Sequence, residues 1–180
     1  PPDWTHDMDG LYKGDPNSQV RQMILLGVGG LRLLNHLGIK PSFYHINEGR
    51  PGFVIWEAVS EIMDRDKISF EDAWRQAKEK IVYTNRTLLG AGNPTYSANT
   101  VRWWASPFAQ NLGVDVDLLI KDGLFDNNNF DITQFALNIS KKHQAVSRIH
   151  SEYAKRQYPN YDWVAITNGI HLNRWQDSDF

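Results

Sequence analysis

The stretch Phe43–Phe53, Phe-Tyr-His-Ile-Asn-Glu-Gly-Arg-Pro-Gly-Phe, constrains the fold more than any other part of the sequence. Phe43 to Ile46 read as a short apolar strand flanked by Pro41 and Gly49. Asn47, Glu48, Gly49 and Arg50 follow where that strand should end, and from Phe53 the apolar positions recur at helical spacing (Ile55, Trp56, Val59, Ile62, Met63). Strand, tight polar turn and helix in this order make half of a βαβ unit and predict an α/β fold built on a parallel sheet. In such sheets ligands bind beyond the carboxyl ends of the strands. Asn47, Glu48 and Arg50 are therefore the first candidates for contacting a substrate.

At 180 residues the chain is long enough for one domain with a substantial core and short for two. Nineteen basic against 21 acidic residues give a net charge of −2, so charge makes no case for nucleic acid or an anionic membrane as a partner. There are no cysteines, which excludes disulfides and thiolate metal sites and fits a cytoplasmic location. No apolar run approaches a membrane span, and no signal peptide is read at the start. Pro1-Pro2 before a loop-like stretch reads as an excised boundary. Seven tryptophans and seven tyrosines point first to core packing, with sugar-ring stacking as the sharper alternative.

Residues 1–17 are rich in Asp, Gly, Pro and Asn and read as a loop-like leading segment. A helix is predicted from Ser18, its N-cap, to a stop at Gly38. Within it, Gly27-Val28-Gly29-Gly30 does not have the context of a phosphate cradle, which follows a strand and opens a helix. Close approach to a neighbouring backbone is the better account of these glycines. Ser69 caps a further helix through Trp74 and Ala77, with Asp72 closing a shortened capping box. Ile81–Thr84 reads as a second strand ending in Asn85-Arg86-Thr87. Beyond a Gly-rich loop (90–93), a helix is expected over Ala98–Leu112 with Pro107 kinking or splitting it and its aromatics in the core. Short helices over Val114–Ile120 and Phe130–Ser140 precede a third strand, Gln144–Ser147. A helix over Ile149–Arg156 leads to a fourth strand, Trp163–Ile166, ending in Thr167-Asn168-Gly169.

Three strand ends thus present polar clusters: Asn47/Glu48/Arg50, Asn85/Arg86/Thr87 and Thr167/Asn168. Amides and carboxylates suit ligands with many hydroxyls, and arginines suit phosphate or carboxylate, so a sugar or sugar phosphate meets both demands. The plainer reading of Asn85 and Asn168 is turn formation, and of Glu48 with Arg50 a local ion pair. His45 reads as a core histidine. His143, His150 and His171 are too scattered to make a metal site, and Ser147, His150 and Glu152 along one helix start lack the convergence of a catalytic triad.

Several segments in a fixed order carry a family likeness. They are Leu11-Tyr12-Lys13-Gly14-Asp15, Val20-Arg21-Gln22 with Gly27-Val28-Gly29-Gly30, His45-Ile46-Asn47-Glu48-Gly49 and Tyr83-Thr84-Asn85-Arg86-Thr87. Phe130-Asp131-Ile132-Thr133 with Ala136-Leu137, Val146-Ser147 with His150-Ser151-Glu152, and Thr167-Asn168-Gly169-Ile170-His171 with Trp175 follow. Together they resemble the α-glucan phosphorylases (glycogen, starch and maltodextrin phosphorylases) over about Leu11 to Trp175. The resemblance implies a glycosyltransferase of two Rossmann-like domains facing across a cleft, each with helices on both faces of a parallel sheet. This chain resembles only the later part of the amino-terminal domain, a single partial domain over residues 1–180.

In that family an α-1,4-glucan and phosphate give glucose 1-phosphate and a shortened glucan. Pyridoxal phosphate assists proton transfer through its own phosphate and is bound by the carboxyl-terminal domain, which nothing here resembles. No cofactor is therefore expected on this chain alone, which should be inactive by itself. By the resemblance, Glu48 helps order the glucosyl site and Asn168 ends a strand beside it. Arg86 and Thr87 lie where the family's reacting sugar is contacted. Arg86 stands at a position that is histidine in the family, and so does Arg50. Leu88 and Gly90 replace usual prolines. A permanently charged arginine at 86 is expected to weaken or retune catalysis. Two rivals remain open: a sugar-nucleotide-dependent transferase of the same architecture, and a non-catalytic glucan-binding or interaction module. Homo-oligomerisation, glucan length preference and regulation are left open.

Overall fold

The computed structural model describes residues 9, 10 and 14–176. Residues 1–8 and Leu11-Tyr12-Lys13, part of the leading segment and of the first motif, lie outside the described residues. Helix α1 (Pro16–Ile24) is capped by Asp15, whose carboxylate accepts the N–H groups of Asn17 and Ser18 at 2.8 and 3.2 Å. The cap therefore falls three residues before the expected Ser18. Pro16 fills the first helical position, where no N–H is needed, and a carboxylate suits the positive end of the helix. A π-helical turn (Leu25–Gly29) carries the chain into α2 (Gly30–His36), and Gly38 follows with φ +72°. The turn sits against another stretch of main chain: a Cβ on Gly27 would lie 2.6 Å from Val54 N and 2.8 Å from Pro51 O. Close backbone approach thus accounts for Gly27. Gly29 and Gly30 have nothing within 4 Å of where a Cβ would be.

Strand β1 (Tyr44–Asn47) leads through a 3-10 turn (Arg50–Phe53) into α3 (Val54–Asp66). Then come α4 (Phe70–Lys78), capped by Ser69, and β2 (Ile81–Asn85). A short antiparallel pair, β3 (Thr95–Ser97) with β4 (Asn129–Asp131), brackets α5 (Ala98–Leu112) and α6 (Val116–Ile120). Helix α7 (Ile132–Asn138), β5 (Lys142–Ala145), α8 (Arg148–Gln157), β6 (Trp163–Ala165) and α9 (Leu172–Trp175) complete the order. No helix among the described residues is long and apolar enough to cross a membrane.

Several expectations need correction, beginning with His45, which is exposed on the open face of the sheet and is not a core histidine. Phe130 lies in β4, and α7 starts only at Ile132 because the Asp131 carboxylate accepts the N–H groups of Thr133 and Gln134. The third strand lies two residues earlier than predicted, and Ser147 caps α8 instead of ending a strand. Trp103 is 73% exposed and so is not core. Pro107, also exposed, lies inside α5 without dividing it. The carbonyl that the proline cannot serve is that of Trp103, on the helix's exposed side.

Strands β1, β2, β5 and β6 form one parallel sheet in the order β1-β2-β5-β6, flanked by helices. Partners in register share a face. Ile46, Tyr83, His143 and Trp163 lie side by side and are buried, as are Asn85 and Ala145 one step on. The opposite face is more open: His45, Lys142 and Val164 are exposed, Val82 and Gln144 are half-buried, and Thr84 is buried. The core centres on Phe53, stacked on Trp56 at 4.1 Å and flanked by Phe130 and Phe135. The Trp56 indole N–H donates to Leu119 O at 3.0 Å, which leaves that buried ring satisfied.

Candidate functional site

All four strands run the same way, so their polar ends open on one edge of the sheet. The ends of β1 and β2 meet there in a cleft of about 440 Å³. Asn47, Glu48 and Arg50 line it from β1, and Arg86 and Thr87 from the end of β2. Five of the six predicted site residues are therefore brought together.

The turn after β1 is shaped by two backbone constraints. Glu48 has φ +64°, in the left-handed region that costs a side-chain-bearing residue about 1–3 kcal/mol. Gly49 passes so close to α7 that a Cβ there would lie 2.8 Å from Ile132 O. The turn is fixed by the neighbouring strand: Glu48 N–H donates to Thr84 O at 2.9 Å, and its Oε1 accepts Arg86 N–H at 2.8 Å. Glu48 thus ties two strand ends together through main chain. Its Oε2 is buried with no hydrogen-bond partner. Burial raises the Glu48 carboxyl above its ordinary value, opposed by the Arg86 N–H, the Arg86 charge and the Thr87 N–H.

The segment after Thr87 is pinned by residues that sequence reading passed over. Asn93 donates its amide to Thr87 O at 3.2 Å and Leu89 O at 3.0 Å, and accepts from Thr133 Oγ1 at 2.7 Å. Asn93 stands in the Gly-rich loop, where its composition signals only a turn. Beyond the Arg86–Thr87 ridge lies a second hollow of about 380 Å³, lined by Arg86, Thr87, Ser147, His150 and Tyr153 among others. Asn85, grouped with the cluster, turns inward and is fully buried.

Asn168 is placed apart. Its N–H donates to Val146 O at 3.1 Å, extending the β5–β6 pairing, and its side chain is exposed. It shares the sheet edge but is two strands from β2, about 10 Å at ordinary strand spacing, and does not line the cleft. Among the described residues no group of three or more His, Cys, Asp or Glu side chains could hold a metal ion.

The cleft therefore offers an amide, a carboxylate, a hydroxyl and two guanidinium groups. This set can hold hydroxyls and an anionic group together. It presents no nucleophile paired with a base.

Comparison with known proteins places relatives beside this geometry. No family model matches the chain. A maltodextrin phosphorylase of Thermococcus litoralis is 30% identical over 178 residues, covering 93% of this chain and 21% of that protein. A glycogen phosphorylase of Aquifex aeolicus is 27% identical over 188 residues, covering 98% of the chain and 27% of its own length. One of Mycobacterium tuberculosis is 24% identical over 200 residues, covering 97% and 23%. The chain spans about a quarter of the length of these relatives. The likeness to glycogen and maltodextrin phosphorylases carried by the ordered motifs is thus matched along nearly the whole chain.

Proposed function

We propose, from this kinship, that the chain is the later part of the amino-terminal domain of an α-glucan phosphorylase. The complete protein would transfer a glucosyl unit from an α-1,4-glucan to inorganic phosphate, giving glucose 1-phosphate. One observation carries the proposal: the ends of β1 and β2 converge on a single cleft, tied by the Glu48 carboxylate accepting the main-chain N–H of Arg86. Asn47, Glu48 and Arg50 are assigned to substrate binding, and Arg86 and Thr87 to contact with the reacting sugar. Asn168 is assigned to the outer part of the same rim, toward the second domain. The chain's contribution is to place hydroxyls and favour developing positive charge on the sugar by fixed dipoles.

Pyridoxal phosphate in this family needs a lysine to hold it, and no lysine lines the cleft. These residues do not fit the cofactor, and its site is assigned to the rest of the protein, across the cleft. The chain alone would then be inactive and would act in the cytoplasm only as part of the whole.

The test is release of glucose 1-phosphate when the complete protein is given maltodextrin and phosphate. Arg86→His should change kcat/KM for glucan by about tenfold, equivalent to 1.4 kcal/mol in the barrier. An unchanged rate would count against a contact between Arg86 and substrate. A second reading, transfer from a sugar nucleotide, is favoured by the two arginines lining the cleft. Turnover of a nucleotide sugar without phosphate dependence would establish it instead. Binding of maltodextrin with neither activity would mark a non-catalytic module.

A further inference from the structure

Behind the Arg86–Thr87 ridge, buried polar groups form a chain that the substrate contacts do not use. Asn85, the last residue of β2, has its amide N–H₂ donating to Tyr83 OH at 2.9 Å. Its Oδ1 stands 2.8 Å from His150 Nε2. An amide oxygen only accepts, so Nε2 is the nitrogen that carries the proton. His150 comes from the first turn of α8, 65 residues away in sequence, and its own N–H is held by Ser147 Oγ at 3.1 Å. Both Asn85 and Tyr83 are fully buried, and leaving such a group without its partner is costly.

The next peptide unit after Asn85 carries the N–H that reaches Glu48 Oε1. Where the Asn85 side chain is held therefore bears on where Arg86 and Thr87 leave the strand. We propose that His150 is a positioning residue: by holding Asn85 it aims the Arg86–Thr87 strand end into the cleft from α8, without touching substrate itself. The proposal rests on the reading that this cleft takes the glucosyl substrate. The histidine acts as a neutral donor; burial holds its ring below the ordinary histidine range. It also does so across β5, which lies between α8's strand β6 and β2 in the sheet.

The experiment compares the complete protein with its His150→Leu and His150→Gln variants, by hydrogen exchange and by phosphorolysis kinetics. Leucine removes the donor; glutamine can return one to Asn85 Oδ1. His150→Leu should speed exchange at the Arg86 and Thr87 amides about tenfold or more and lower kcat more than it raises KM, since misplacing a contact group acts chiefly on the reacting geometry. His150→Gln should restore most of both. Exchange at Arg86 and Thr87 unchanged in His150→Leu, or equal losses in the two variants, would overturn the proposal. Should His150→Leu fail to fold, Tyr83→Phe serves, since it removes only the hydroxyl at the chain's far end. It should leave the same two amides protected, because His150 still holds Asn85 Oδ1, and loosening them as much as in a destabilised His150 variant would overturn the proposal. If the unaltered protein releases no glucose 1-phosphate, the functional reading fails, while the exchange measurement still decides the role of His150.

Discussion

Glu48, half-buried at the end of β1, and His143, buried on β5, are titratable groups whose effects on stability run in opposite directions with pH. Burial raises the Glu48 carboxyl above its ordinary value of 4.5, so the folded protein binds a proton there that the unfolded chain gives up sooner. Ionising it costs stability as pH rises through that window, and the cost persists above it. Glu48→Gln can keep an oxygen for the Arg86 N–H without that cost. Its Tm should match the parent below pH 4.5, pull ahead as pH rises through the window and keep a constant lead above it; a gap independent of pH throughout would show that desolvation of the carboxylate is not the cause. His143 is buried between the rings of Tyr161 and Trp163, with Nε2 donating to Leu137 O at 2.9 Å and Nδ1 without a partner. Burial lowers its pKa below 6.5, so the folded state binds fewer protons than the unfolded chain. Its stability contribution is complete above 6.5 and is lost as pH falls below it. His143→Gln should flatten the fall of Tm on that side, measured by thermal melts across the range.

At the level of elements, the glycines of the α1–α2 rod separate intrinsic propensity from packing. Gly30 opens α2 with helical dihedrals and open space around its missing Cβ, so Gly30→Ala should stabilise by about 0.5–1 kcal/mol. Gly27→Ala gains the same propensity but drives a Cβ into the main chain at Pro51–Val54, and should destabilise by about 1–3 kcal/mol. Urea titrations of the two variants check the opposite signs; two stabilising alanines would mean that the Gly27 contact gives way freely. The pair also shows what was legible in the sequence. Strand, polar turn and helix at 43–53 could be read because apolar spacing and turn chemistry agree there. Gly27 could be read because a glycine inside an apolar helix needs a reason. Phe130 could not be placed, because strands of three residues such as β3 and β4 are shorter than any alternation pattern. Asp15 and Ser18 both suit an N-cap by residue type, and Pro16, which fits the first helical position, decides for Asp15. Five candidate residues line one cleft because their parallel strands end on one edge of the sheet. Asn93 and His150 escaped because their partners, Thr87 and Asn85, lie across loops or strands that local pattern does not connect.

The unequal covering of the sheet belongs to the molecule as a whole. Parallel sheets are ordinarily buried on both faces, since their pairing and packing depend on layers to either side. Here one face is closed by Ile46, Tyr83, His143 and Trp163, while Val164 on the other is 51% exposed. Ile166, Ile170, Leu172 and Trp175 continue this exposed apolar run along the rim that also carries Asn168. At the other end of the sheet β1 is, among the described residues, an edge strand, with Phe43, Leu37 and Ile39 exposed nearby. An unpaired edge beside apolar side chains is a template for association, and apolar patches of this kind mark contact surfaces. Residues 1–180 prepared on their own should therefore bind a hydrophobic dye and associate with rising concentration, seen as increasing sedimentation coefficients. Val164→Lys together with Ile166→Lys should suppress both, because the charges are placed on the open face and leave the closed one untouched. If the double variant associates as strongly as the parent, the β1 edge is the adhesive surface, and a lysine at Phe43 should then abolish association. A parent chain that stays monomeric and binds no dye would show that this sheet tolerates an uncovered face.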